Sequence, residues 1–266
     1  MTSTITLSTL RKMKQNGEKF ATLTAYDASF ATILESAGVE AILVGDSLGM
    51  VIQGNSTTVP VTIDETIYHT RCVRQGSRNT LVIADMPFMS DATPELALAN
   101  AARLMKEGGA HVVKLEGGAV IVDIVRLLSE RGIPVCGHLG LLPQSINKLG
   151  GYRVQGRDET SAQRLLQEAA MLEAAGAELL VVECVPAALA KQLSEQLTIP
   201  VIGIGAGADC DSQVLVLYDL LGITPGRPPR FSKNFLAERG SVEAAVAAYV
   251  REVKTGEFPS AEQIIA

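Results

Sequence analysis

The chain has no tryptophan, and aromatic residues make up only 4% of its 266 positions. That scarcity argues against a base-stacking platform for single-stranded nucleic acid. Positive charge is also in deficit: 23 Lys and Arg face 29 Asp and Glu, giving a net charge of −6. With a pI near 5.2, general electrostatic attraction to nucleic acid or anionic membrane is a poor basis for function. The four cysteines, Cys72, Cys136, Cys184 and Cys210, are scattered and form no C-x-x-C pair. Such usage suits a reduced cytosolic protein better than a disulfide scaffold or a structural zinc site. No apolar run reaches the roughly 18 residues of a membrane span. The opening MTSTITLSTLRKMKQNG lacks the long apolar core of a secretory signal. The sequon Asn55-Ser56-Thr57 would carry no meaning in a cytosolic chain. The expectation is a cytoplasmic globular protein.

What is present is alternation. Short apolar, β-branched runs predict strands at 20–26, 40–46, 80–86, 111–116, 133–138, 178–184, 199–205 and, more weakly, 214–219. Most are nearly continuous apolar runs, as expected for parallel strands covered on both faces. Helices are predicted at 63–75, opened by a Thr62/Glu65 capping box, and at 94–107, opened by Thr93-Pro94-Glu95 and closed by Gly108-Gly109. Further helices are predicted at 159–175, 186–197 and 241–256. Eight strands in alternation over about 250 residues predict a (β/α)8 TIM barrel. A doubly wound open sheet is the alternative, but no G-x-G-x-x-G follows the first strand. Nothing resembling a repeat or linker divides the chain, so residues 1–266 are expected to form one barrel domain with an N-terminal helix and a C-terminal helical extension.

Barrel active sites are built at the C-terminal ends of strands. Those ends carry Asp27, Asp46-Ser47, Asp85, Lys114 and Glu116, His138, Glu183 and Asp219. An acid after a strand often caps the next helix, and Asp27 and Asp219 are left with that role. A barrel would bring Asp46, Asp85 and Glu116 to one rim, where three converging carboxylates need a cation. An all-oxygen set without Cys or His favours a hard ion such as Mg²⁺. In HVVKLEGG, Lys114 and Glu116 are two residues apart in a strand and share a face. They form either a plain salt bridge or a wall of that site. Glu183 ends LLVVEC; a carboxylate in apolar surroundings has a raised pKa and serves as a general base, though it could equally be a buried structural acid. His138 in CGHLG could orient substrate, accept a proton or simply pack in the core. His69 and His111 read as structural. GIGAG at 203–207 reads as a tight turn rather than a phosphate loop, since it lacks the P-loop Lys-Ser/Thr pair.

Together these stretches resemble one family, ketopantoate hydroxymethyltransferase. The segments are TAYD (24–27), LVGDSLGMVIQG (43–54), PVTIDETIYHTRCVRQG (60–76), ADMPFMS (84–90), VKLEGG (113–118), PVCGHLGLLPQS (134–145), GGYRVQGR (150–157), ECVP (183–186) and IPVIGIGAG (199–207), in order across nearly the whole chain. The resemblance implies a barrel of the phosphoenolpyruvate/pyruvate type. The implied reaction transfers a hydroxymethyl group from 5,10-methylenetetrahydrofolate to 3-methyl-2-oxobutanoate through a Mg²⁺-stabilised enolate. It implies one Mg²⁺ per subunit at Asp46, Asp85 and Glu116, the last through water. It further implies Ser47 and Lys114 on the substrate oxygens, His138 near the substrate and Glu183 as general base. A cytoplasmic homo-oligomer, often a decamer, is implied as well, and the positive mean hydropathy of +0.23 suits an apolar exterior. Three positions depart from the family pattern: Leu142 for a usual Thr, Ser212 for a frequent Gly and Tyr218 for a frequent His. A Mg²⁺ barrel lyase acting on another 2-keto acid is a rival, although its K-x-C-G-H-like loop is missing here. A catalytically silent ligand-binding barrel is another, although no rim acid has been lost.

Overall fold

The computed structural model describes residues 4–265. Eight parallel strands close into a barrel in chain order. They are β1 (Phe20–Thr24), β2 (Ala41–Val44), β3 (Leu81–Asp85), β4 (Val112–Glu116), β5 (Val135–Gly140), β6 (Ala177–Glu183), β7 (Val201–Ile204) and β8 (Ser212–Leu215). Pairing of β1 with β8, from Phe20 opposite Ser212 to Leu23 opposite Leu215, leaves no sheet edge. This is the expected (β/α)8 architecture.

The expected helix starts are built as the sequence specifies. Thr62 N–H donates to Glu65 Oε2 at 2.8 Å and Glu65 N–H to Thr62 Oγ1 at 3.3 Å, opening the helix Ile63–Gly76. Thr93 caps the helix Pro94–Arg103, which runs into a π-turn at Leu104–Gly108 and stops at Gly109. Asp27 accepts from Phe30 N–H at 3.0 Å and caps the helix Ala28–Ser36. The helix Val122–Glu130 presents Val122, Val125 and Leu128 to the core at helical spacing.

The eighth strand differs from expectation: it spans Ser212–Leu215, and Leu217–Leu220 is a one-turn helix. Leu217 N–H leaves the ladder to donate to Thr24 Oγ1 at 2.9 Å, and Asp219 N–H turns back to Val216 O at 3.0 Å. Periodicity alone does not separate a short buried strand from a buried helical turn.

Alternation along the strands builds two cores. Outward residues such as Val113, Leu115, Val135 and Leu180 pack against the helices. Inward residues, including Phe20, Leu43, Ile83, Val112, Cys136, Val181 and Val214, fill the barrel. Leu10, from the N-terminal helix Leu7–Gln15, joins this inner cluster and plugs the end where the strands begin. Its full burial is worth about 2 kcal/mol of apolar transfer. At the closing seam, Tyr249 of the helix Val242–Thr255 places its hydroxyl 2.9 Å from Thr22 O and 2.8 Å from Gln213 O. One end of the barrel is thereby closed with apolar side chains, which leaves the other end to carry polar ones.

Candidate active site

The two-residue alternation that fills the barrel continues upward into charge. Above Ile83 stands Asp85, above Val112 stand Lys114 and Glu116, above Cys136 stands His138, and above Val181 stands Glu183. Asp85, Lys114, Glu116, His138, Glu183 and Ser47 line one cavity of about 810 Å³ at the C-terminal ends of the strands. Asp46 lies just behind this wall: its N–H donates to Asp85 Oδ2 at 2.9 Å, and its Oδ2 accepts from Gln144 Nε2 at 2.9 Å.

Lys114 is the hub, and its first partner is not the one the strand pattern suggests. Nζ lies 3.0 Å from Asp85 Oδ1 on the adjacent strand and 4.0 Å from Glu116 Oε1. The plain Lys114–Glu116 salt bridge is thus the looser of the two contacts. Nζ also reaches His138 Nδ1 at 3.1 Å. An ammonium can only donate, so Nδ1 accepts and the ring proton sits on Nε2. That atom lies 3.3 Å from Glu183 Oε2 without the alignment of a hydrogen bond.

Burial and mutual repulsion dominate the electrostatics. Desolvation, with Asp85 and Glu116 as neighbours, pushes the Asp46 carboxyl well above its ordinary range. Asp85 and Glu116 are raised too, chiefly by burial and against the pull of Lys114. Burial alone would lower Lys114, but Asp85, Glu116 and Asp46 outweigh it and hold the ammonium above its usual range. Burial and the Lys114 cation push His138 below its ordinary value, against the pull of Glu183. Three carboxyl groups therefore crowd one fixed cation.

Backbone detail holds the chemistry in place. Gly140, at φ +91°, lets β5 cross the end of β6: a Cβ there would lie 2.1 Å from Glu183 O. Leu141 N–H donates to that same oxygen at 2.8 Å. Cys184 follows at φ +48°, a left-handed conformation rare for a residue with a side chain, at the position beside the base candidate. Ser47 Oγ lies 2.8 Å from Tyr26 Oη.

Two residues of this network were not singled out from sequence. Gln144 donates its N–H to Glu116 Oε2 at 3.1 Å, and its Nε2 reaches both Asp46 Oδ2 and Met86 O. Tyr26 orients Ser47. Both lie inside segments that carry the family resemblance, PVCGHLGLLPQS and TAYD, which was the available signal. The histidines left as structural behave so: His69 Nδ1 lies 2.7 Å from Tyr26 O, and His111 Nδ1 accepts from Val82 N–H at 2.9 Å.

Among the described residues, no three His, Cys, Asp or Glu side chains converge to hold a metal by themselves. Asp46, Asp85 and Glu116 thus do not form a complete cage. Glu116 faces the Gln144 N–H and Lys114, while Asp46 and Asp85 are the adjoining pair. The donor chemistry nevertheless fits a hard cation of the Mg²⁺ kind. Such an ion takes one or two carboxylates and completes its shell with water and substrate oxygens. The excess of buried negative charge supplies the need. His138 Nε2 is buried without an aligned hydrogen-bond partner, as expected where a ligand completes the network.

These features define a parallel (β/α)8 barrel with an acidic, lysine-centred rim. Solved structures of similar fold include 2,3-dimethylmalate lyase, a member of the PEP mutase/isocitrate lyase superfamily, with TM-score 0.59 and 19% identity over 81% of this chain and 82% of that one. Phosphonopyruvate hydrolase, solved in complex with oxalate and Mg²⁺, matches at TM-score 0.61 and 13% identity over 97% and 92%. At such identities the likeness concerns the fold. Sequence takes the identification further. The family model described as ketopantoate hydroxymethyltransferase matches residues 4–261. The 3-methyl-2-oxobutanoate hydroxymethyltransferase of Shewanella loihica is 61% identical over 260 residues, 98% of each chain. The protein of that name from Nitrosococcus oceani is 59% identical over 258 residues, 97% of this chain and 98% of its own. The chain belongs to the ketopantoate hydroxymethyltransferase family.

Proposed function

We propose that this protein transfers a hydroxymethyl group from 5,10-methylenetetrahydrofolate to 3-methyl-2-oxobutanoate, giving 2-dehydropantoate, the first step of pantothenate biosynthesis. The observation that carries the reading is the single polar layer of Asp85, Lys114, Glu116, His138 and Glu183 on one cavity wall, in a chain about 60% identical to enzymes of that name.

In this reading Asp46, Asp85 and Glu116 would hold Mg²⁺. The bound ion would supply Lewis-acid stabilisation of negative charge developing on the keto oxygen. Lys114, fixed as an ammonium between Asp85 and His138, adds positive potential beside the substrate oxygens. Ser47, oriented by Tyr26, donates a hydrogen bond to them. Glu183 takes the C3 proton as general base, and His138 faces it with Nε2–H. The carbon nucleophile then bonds to the donor's methylene carbon; both C–N bonds to that carbon break, water supplies the hydroxyl, and the C3 proton with one proton of water go to the two nitrogens, releasing 2-dehydropantoate and tetrahydrofolate. The supporting geometry is that base and ammonium flank the same imidazole, so proton removal and charge stabilisation act on one small substrate.

A cytoplasmic homo-oligomer, a decamer by family likeness, belongs to the same proposal. Exposed Met89 and Val120, at 57% and 86%, give apolar surface that further copies would cover. No helix among the described residues is long and apolar enough to cross a membrane. The test of the reaction is proton NMR of the purified protein with keto acid, Mg²⁺ and donor. New hydroxymethyl signals support the reading; their absence with folded, metal-loaded protein would return the keto-acid lyase and the silent barrel to the front.

A further inference from the structure

The polar floor occupies only part of the cavity. Its volume of about 810 Å³ lies in the roughly 300–1,000 Å³ range of pockets for drug-sized ligands, far beyond what a small keto acid fills. Beyond that floor the cavity lining carries three arginines against one carboxylate, Asp219, whose Oδ1 accepts from Thr224 Oγ1 at 2.6 Å. Arg153, Arg227 and Arg230 all line the cavity. None of the three has a carboxylate ion-pair partner among the described residues, so their charge is free to meet a ligand in the cavity they line. Arg227 and Arg230 enter the cavity from the segment after β8 and Arg153 from the loop between β5 and β6, and three such cations around one cavity create a field for an anion.

Two of them are displayed on a stiff segment. Arg227 and Arg230 are separated by Pro228-Pro229, and each proline fixes its own φ and restricts the residue before it. Ser232 ties the end of the segment, its N–H and Oγ donating to Pro229 O at 3.0 and 2.7 Å. Phe231 then seats the segment on the end of β7. It packs over Gly205, at φ +59°, where a Cβ would lie 2.9 Å from the Phe231 ring. The GIGAG turn thus provides a seat for the arginine-bearing loop.

We infer that Arg227 and Arg230, with Arg153, form the subsite for the carboxylates on the glutamate tail of the folate donor. The inference rests on the folate reading above and adds which wall binds the donor and through which end. The tail is held in the cationic mouth, and the methylene-bearing head extends along the apolar wall of Ile204 and Val214 toward the polar floor. Arginine suits this task because its planar fork matches a carboxylate and is always charged.

The test is steady-state kinetics with three donors: the monoglutamate and triglutamate of 5,10-methylenetetrahydrofolate, and methylenetetrahydropteroate, which has no glutamate. In the wild-type protein KM should fall from pteroate to mono- to triglutamate. The R227Q/R230Q variant should raise KM for the triglutamate roughly tenfold or more but leave KM for the pteroate donor where it was. R227K/R230K should recover part of the loss, and thermal melts of both variants should overlay the wild type. Equal KM values in wild type and R227Q/R230Q for all three donors would overturn the assignment. If the wild type makes no product from any donor, the proposed reaction fails instead. Equilibrium binding then decides the subsite: tighter binding of tetrahydrofolate than of tetrahydropteroate supports it, and equal affinities overturn it.

Discussion

His138 holds its Nε2 3.3 Å from Glu183 Oε2 and its Nδ1 3.1 Å from Lys114 Nζ, so one imidazole bridges the ammonium and the carboxylate proposed as the base. The imidazole works in this position only while neutral, because Nδ1 must accept from the Lys114 ammonium. Burial and that same cation push its pKa down. Nitrogen-15 NMR of the imidazole should therefore show the neutral Nε2–H tautomer at pH 6, where an unperturbed histidine is largely protonated. Lys114→Met should move the titration up. A protonated ring in the wild type at pH 6 would contradict the account.

Glu183→Gln keeps shape and burial but removes the proposed base. C3 proton exchange of 3-methyl-2-oxobutanoate should fall by about 10²–10⁴. Affinity for the keto acid in the presence of Mg²⁺, measured by calorimetry, should change little. Loss of binding with retained exchange would assign Glu183 to the metal or substrate site rather than to proton transfer.

Away from the rim, His111 couples stability to pH. Its Nδ1 accepts the Val82 N–H at 2.9 Å, and burial, with Arg74 nearby, pushes its pKa down to about 4. Above pH 6.5 the ring is neutral in both states and the contribution to stability is complete. As pH falls from 6.5 toward 4, the unfolded chain takes up the proton first, and stability is lost. Chemical denaturation across this window should show the slope, and His111→Asn, which keeps an acceptor without the titration, should flatten it.

Tyr249→Phe tests the seam. The hydroxyl sits against the carbonyls of Thr22 and Gln213 on β1 and β8, and removing it leaves buried acceptors short of a donor. A loss of about 1–3 kcal/mol is expected, read as a lowered midpoint in urea. Because the seam lies below the polar layer, C3 exchange should be unchanged in the folded variant.

Strand positions, helix caps and the polar rim were legible because each rests on local chemistry. A run such as AILV reads as a covered strand, Thr62 with Glu65 as a cap, and a charge at the end of an apolar run as a site residue. The pairing of Lys114 was not legible. Its nearest carboxylate, Asp85, lies on the neighbouring strand, and register between strands is a tertiary property. Gln144 was missed for a related reason: an amide after a proline in a loop gains meaning only when the fold lays it across Asp46 and Glu116. The eighth strand failed where an apolar run, VLVLYD, serves both a strand and the helical turn after it. Only the family resemblance, and not any spacing, supplied the substrate and the donor.

The most direct test is proton NMR of 3-methyl-2-oxobutanoate in D₂O with the wild-type protein, first with EDTA and then with Mg²⁺, before any folate is added. Loss of the C3 proton signal should depend on Mg²⁺ and collapse in Glu183→Gln. Exchange that proceeds equally with EDTA, or that survives in Glu183→Gln, would contradict the proposal.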